Sequence, residues 1–169
     1  GYYLKKYVIE AINLSPTNTT SREHTWVLFR YGEVLLNYAE AMNEAYGPEN
    51  GAAFGLTALD AVNQVRQRAN MPNFPAGLSQ SEFRDKLRNE RMVELAFEDH
   101  RFWDIRRWKI GQQTTNIFQI EITQNNGGSG FVFEKKLLEV RPYEERMNIY
   151  PIPQAELFKN ENLTQNSGW

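Results

Sequence analysis

Arg88-Asn89-Glu90-Arg91-Met92-Val93-Glu94-Leu95-Ala96-Phe97-Glu98-Asp99-His100-Arg101-Phe102-Trp103-Asp104-Ile105-Arg106-Arg107-Trp108-Lys109 is the stretch on which the fold turns. It sits in a pattern that predicts one helix from about Ser79 to Trp108, so its side chains project around an axis at about 100° each. On that projection Leu87 and Ile105 coincide, and Phe83 and Phe102 lie close by. Glu94, Glu98, Arg91 and Arg101 fall in the same sector. The charges therefore share the face that the apolar residues mark as packed, which is not how a solvated stripe reads.

Two chemistries fit such a cluster. Glu94 and Glu98 could be paired carboxylates for acid–base work, as in a glycoside hydrolase, or metal ligands with His100 and Asp104 at helical i, i+4 spacing. Otherwise they are structural ions. Burying a charge is costly unless it is paired, and arginine can satisfy a carboxylate through two parallel hydrogen bonds. Equal numbers of Glu and Arg in the sector favour neutralisation, by Arg91, Arg101 and Arg66 or Arg68 from a neighbouring helix. The two histidines, His24 and His100, make no His-Glu-x-x-His pattern, so no metal site is expected. Aromatics interleaved with bases from Arg101 to Lys109 also occur in nucleic-acid readers. The expectation is instead that Phe102 is packed and that Arg106 and Arg107 pair with Asp99, Asp104 or a partner's surface.

Working towards the N-terminus, Trp26 to Tyr46 carry a helical pattern with Leu35, Tyr38, Met42 and Ala45 on one stripe and Val34 and Ala41 beside it. Gly47-Pro48 stops it. A second helix is predicted over about Thr57 to Ala69, with Thr57 as N-cap, Asp60 at N3, and Ala58, Ala61, Val62, Val65 and Ala69 as its apolar stripe. The two make an Ala-rich hairpin like one tetratricopeptide unit, which cannot bury both faces alone. Residues 1–9 read as a strand and Asn13–Ser21 as a polar loop. Towards the C-terminus, Ile117–Ile122 and Phe131–Val140 read as strands around Asn125-Asn126-Gly127-Gly128-Ser129-Gly130, a hairpin loop and not a phosphate loop, since it opens no helix. Tyr150-Pro151-Ile152-Pro153 must be extended, and a short helix follows at Gln154–Phe158.

Composition narrows the class. The 169 residues, 41% hydrophobic and 24% charged, suit one soluble globular domain and argue against disorder. A net charge of −2 gives no reason to expect nucleic acid or an anionic membrane as partner. The absence of cysteine removes disulfides, thiolate nucleophiles and Cys-based zinc sites. No apolar run is long enough for a membrane span. No nucleophile elbow, kinase motif or glycine-rich phosphate loop occurs. Aromatics at 13% could be core or could supply stacking faces; Trp26, Tyr46 and Trp169 are the surface candidates, each read as core or cap.

Three stretches carry a resemblance. Arg30-Tyr31-Gly32-Glu33-Val34-Leu35-Leu36-Asn37-Tyr38-Ala39-Glu40-Ala41 is similar to the RYAEVLLNYAEA helix of the SusD/RagB family of outer-membrane nutrient-binding lipoproteins. Asn89 to Trp108 resembles its ERRxELAFEGxRxxDLRRW signature. Tyr150 to Leu157 with Asn162 to Trp169 resembles its terminal YPIPQSEI…NPNLxQNPGW. Asp99 stands where glycine is usual in the family, and Ser167 where proline is. The resemblance implies a SusD-like, mainly α fold over residues 1–169, read as a single domain. Its parts would be a strand and loop (1–25), a tetratricopeptide-like helical hairpin (26–70), a signature helix (79–109), a small β-hairpin (115–141) and an extended C-terminal cap (142–169).

Members are much longer, so the chain is expected to be the C-terminal part of such a protein, with any signal and lipidated cysteine upstream. The resemblance further implies a non-catalytic glycan or nutrient binder on the outer face of the outer membrane. It would capture oligosaccharide and deliver it to a SusC-like TonB-dependent transporter. No cofactor, metal or catalytic residue follows from it, membrane attachment would be through the lipid anchor alone, and ligand contacts would come mostly from upstream. Two other readings stay open: a hydrolase using Glu94 and Glu98, and a helical-repeat scaffold binding only protein.

Overall fold

Thr57 and Ser79 each open a helix with the same device. Thr57 Oγ1 accepts from the Asp60 N–H while the Asp60 carboxylate accepts from the Thr57 N–H, and Ser79 and Glu82 do likewise. Such reciprocal caps are worth about 1 kcal/mol each because they satisfy donors that the first turn leaves orphaned. The computed structural model describes residues 4–125 and 127–169. Five α-helices are seen among them: α1 (Tyr31–Tyr46), α2 (Ala58–Arg68), α3 (Gln80–Glu94), α4 (His100–Arg107) and α5 (Gln154–Lys159). Strands β1 (Asn116–Gln124) and β2 (Phe131–Val140) form one antiparallel pair, and 3₁₀ turns lie at Gly111–Thr114 and Glu145–Asn148. No helix among the described residues is long and apolar enough to cross a membrane. The expectation of a mainly helical fold with a small β-hairpin is met.

The chain divides into two compact units, Ala11–Arg101 and Phe102–Trp169 with the N-terminal segment through Glu10. In the first unit α1 packs on both α2 and α3. Leu35, Leu36, Ala39 and Met42 of α1 meet Ala58, Ala61, Val62 and Val65 of α2 and Phe83 and Leu87 of α3 in one apolar core. The small residues of α2 let the axes approach closely, since only methyl and isopropyl groups intervene. Two buried asparagines lie in that core. Asn43 donates to the Gln80 carbonyl at 3.1 Å and so ties α1 to the start of α3, and Asn63 Oδ1 accepts from the Phe74 N–H at 2.8 Å and so ties the 70–78 loop to α2. Tyr38 fastens the α1–α2 connection by donating its hydroxyl to the Leu56 carbonyl at 2.6 Å. Gly47 ends α1 at φ 87°, the left-handed region where a side chain would strain the backbone.

Several expectations need correction. The first helix starts at Tyr31, not Trp26: Arg30 is fully extended (φ −148°, ψ 164°), and Trp26, Leu28 and Phe29 are exposed. The buried stripe of α1 is turned relative to the predicted one. Leu36, Ala39 and Asn43 replace Val34, Ala41 and Ala45, which are exposed, because α1 faces two helices at once. Ala69 is likewise exposed beyond the end of α2. Residues 4–9 of the predicted strand form turns instead, with Tyr7 at φ 68° and the Val8 N–H on the Lys5 carbonyl; residues 1–3 lie outside the described part.

The single helix over Ser79–Trp108 is two. α3 stops at Glu94, and Phe97 and Asp99 both adopt φ 63° before α4 begins. A projection that ran through the break therefore misplaced Phe102, which is 39% exposed and outside the apolar core.

In the second unit, β1 and β2 pair from Gln124↔Phe131 to Asn116↔Val140, with a bulge that leaves Leu138 unpaired between Glu139 and Leu137. The hairpin loop closes with the Asn125 N–H on the Gly130 carbonyl; Asn126 lies outside the described residues. Pro151 and Pro153 keep the chain extended on either side of Ile152. The backbone of Ile152 is then satisfied by one side chain. Gln165 accepts from its N–H at 2.8 Å and donates to its carbonyl at 2.9 Å. Asn166 donates to the Tyr150 carbonyl at 2.6 Å, and the Trp169 indole N–H is shared by the Arg146 and Ile149 carbonyls. The terminal motif thus closes on itself, amide side chains replacing a strand partner.

Candidate functional site

Arg30 stands at the centre of the charged cluster. Its Nε donates to both Glu98 oxygens at 2.9 and 3.2 Å, one terminal nitrogen to Glu94 Oε1 at 2.6 Å, and the other to Glu98 Oε1 at 3.0 Å and the Glu94 carbonyl at 2.8 Å. A planar fork of five N–H donors is what lets one side chain bridge two carboxylates and a backbone oxygen. Arg68 adds a second guanidinium on Glu94 Oε1 at 2.7 Å. The hydrogen bond to Glu98, with further support from Glu94, raises the Arg30 pKa above its ordinary value against the opposing effect of burial.

The sequence reading of the cluster as ion pairs holds, and it gains a member. Arg30 was not among the arginines expected, yet it donates to both carboxylates. Arg68 was expected and is present, whereas Arg66 pairs with Glu90, donates to the Pro72 carbonyl and stacks over Phe74 at 4.7 Å. Arg91 is buried and donates to Asn37 Oδ1 on α1 at 2.6 Å. His100 stands 3.5 Å from Glu33. Arg107 pairs with Asp104 at 2.9 Å as expected, but Arg106 lies over the Phe102 ring at 3.4 Å and donates to the Phe102 carbonyl.

Glu98 has a side chain only 2% exposed and Glu94 one 10% exposed. Both Glu98 oxygens and Glu94 Oε1 accept from guanidinium donors. Among the described residues no three His, Asp or Glu groups are grouped to hold a metal ion.

A second feature lies in the other unit. Trp103, Arg106, Arg107, Lys109, Asn148 and Tyr150 line an open cleft of about 480 Å³. The Trp103 and Tyr150 rings are 6.0 Å apart at 60°, and both side chains are more than half exposed. Phe102 supports them from behind, edge-on to Trp103 at 5.1 Å and 6.0 Å from Tyr150. Of the surface aromatics singled out from sequence, Trp169 is the cap on the 146–149 backbone, with Arg146 over its ring at 4.8 Å. Tyr46 borders a shallow hollow with Pro48, Glu49 and Leu78, and Trp26 is exposed.

The model of the SusD family matches residues 1–169, the whole sequence that holds both features. The chain belongs to the SusD family. SusD-like protein P2 of Formosa agariphila is 32% identical over 98% of this chain and 30% of its own length. SusD-like protein P25 of the same organism is 31% identical over 95% of this chain and 27% of its own length. A crystal structure of a SusD-like protein from Bacteroides fragilis superposes with a TM-score of 0.71 at 32% identity, over 86% of this chain and 26% of that one. The chain thus spans about 30% of the length of the first of these relatives.

In this SusD-family chain the motifs have plain physical jobs. The first supplies Arg30 and the core stripe of α1, the second supplies Glu94 and Glu98, and the third closes the terminal cap. The glycine usual at position 99 is also explained, since φ 63° is the left-handed region, where Asp is tolerated and glycine preferred. Asp99→Gly is expected to raise stability by about 0.5 kcal/mol, and Asp99→Val to lower it by about 1–2 kcal/mol. Urea denaturation of both variants measures this. Equal midpoints for the two would refute the assignment of strain to residue 99.

Proposed function

We propose that this chain is part of a cell-surface glycan-binding protein of the outer membrane, held there by a lipid anchor, that passes oligosaccharide to a SusC-like TonB-dependent transporter and does not cleave it. Family membership supports the binding role. The observation that carries the non-catalytic half is the double engagement of Arg30, which holds both oxygens of Glu98 and Oε1 of Glu94 in charged hydrogen bonds.

The test is calorimetric titration of oligosaccharides into the protein, with chromatography of the sugar afterwards. Saturable heat and unchanged sugar are expected. A Glu94→Gln variant should lose about 1–3 kcal/mol of stability, because a charged hydrogen bond to two arginines is weakened. Shortened sugar in the wild-type reaction, abolished in a Glu94→Gln protein of unaltered melting temperature, would instead establish a hydrolase.

A further inference from the structure

The cleft beside Trp103 is unusual in what surrounds it. The whole chain carries a formal charge of −2, yet the cleft is lined by Arg106, Arg107 and Lys109 and by no carboxylate. Arg107 is turned to the buried Asp104, so Arg106 and Lys109 supply the unbalanced charge. Arg106 uses one of its five N–H donors on the Phe102 carbonyl, and its guanidinium carbon lies 3.4 Å from the Phe102 ring centre. Lys109 makes no ion pair among the described residues. The Asn148 amide is occupied by the Tyr143 hydroxyl and the Glu145 carbonyl and serves as wall.

Lys109 also sits where a lysine is costly. Its N–H bonds the Arg106 carbonyl and the Ile110 N–H bonds the Ile105 carbonyl, the paired closure of a helix C-terminus whose left-handed residue is ordinarily glycine. Lys109 holds that position at φ 53°. A non-glycine residue kept in a strained conformation at the wall of a cleft suggests use. Trp103 and Tyr150 supply apolar faces that take the C–H face of a pyranose, while cations beside them take an anionic substituent. A volume of about 480 Å³ lies within the roughly 300–1,000 Å³ common to small-molecule sites.

We infer that the cleft between α4 and the 148–150 segment is a binding subsite for an acidic sugar residue, a uronate or a sulfate ester. Trp103 and Tyr150 stack on the ring, and Arg106 and Lys109 pair with the anion. This rests on the glycan-binding reading and narrows it to charged saccharides at a named place.

Calorimetry on the full chain tests it with two matched pairs: a galacturonic acid trimer against its methyl ester, and a sulfated galactose oligomer against its desulfated form. At least one acidic member should bind ten-fold or more tightly than its neutral partner, with affinity falling as salt rises. That preference should drop at least ten-fold in Trp103→Ala. Lys109→Gly should weaken acidic binding about five-fold while leaving the melting temperature equal or higher, a combination that damage to the fold does not produce. The pair that responds tells uronate from sulfate. Acidic and neutral members binding alike, or both variants binding as wild type, would overturn the subsite while leaving the glycan-binding reading standing. No heat with any of these sugars, nor with neutral glucans or mannans, would take down both.

Discussion

Arg30→Ala is expected to lower stability by about 3 kcal/mol. The figure follows from what is left behind. Glu98 has a side chain 2% exposed, and its oxygens would lose the bidentate fork that Arg30 now provides. Glu94 would keep Arg68, whose own side chain is 64% exposed and therefore a weaker, more hydrated partner. The Glu94 carbonyl, near the C-terminal end of α3, would also lose its donor. Breaking a buried pair from one side costs about 3–5 kcal/mol because the remaining charge stays desolvated, and the partial exposure of Arg30 places this case at the low end. Arg30→Lys should recover less than half of the loss, since an ammonium keeps the charge but cannot bridge two carboxylates in one plane. Chemical denaturation of the three proteins gives the ranking.

Phe83→Ala is expected to cost about 3–5 kcal/mol, and Phe102→Ala about 1 kcal/mol. Phe83 is fully buried among α1, α2 and α3 and meets Phe74 edge-on at 5.9 Å, so truncation opens a cavity that the close-packed helices cannot fill. Phe102 is 39% exposed and lies on the cleft-bearing unit. The sequence pattern put the two rings on one face of one helix; the break after Glu94 separates them. Equal losses for the two variants would mean that the helix runs through.

What was legible in the sequence was whatever a local rule encodes. Helix α2 and its Thr57–Asp60 cap, the stop at Gly47 and the two strands all follow from periodicity and turn chemistry within a few residues. What escaped depended on distance along the chain. Arg30 lies 68 residues from Glu98, and nothing in either neighbourhood says they meet; the only pointer was that a charged residue opened one of the three matching motifs. The break between α3 and α4 escaped because Phe97 and Asp99 take left-handed backbone without glycine or proline to announce it. Glycine being usual at position 99 in the resembled family was the available signal. Asn43 and Asn63 escaped because an apolar-stripe reading passes over amides, although both are buried, one tying α1 to α3 and the other holding a loop. The cleft escaped because Trp103 and Tyr150 lie in separate segments that no local pattern brings together.

The central claim is that Arg30 and the Glu94–Glu98 carboxylates neutralise one another structurally. A double-mutant cycle on Arg30→Ala and Glu98→Gln, read by urea denaturation, tests it most directly. A coupling energy of at least about 2 kcal/mol is predicted, the double variant being little worse than the worse single one. A coupling near zero, with the single losses simply adding, would contradict the account and return Glu98 to the list of residues free for chemistry.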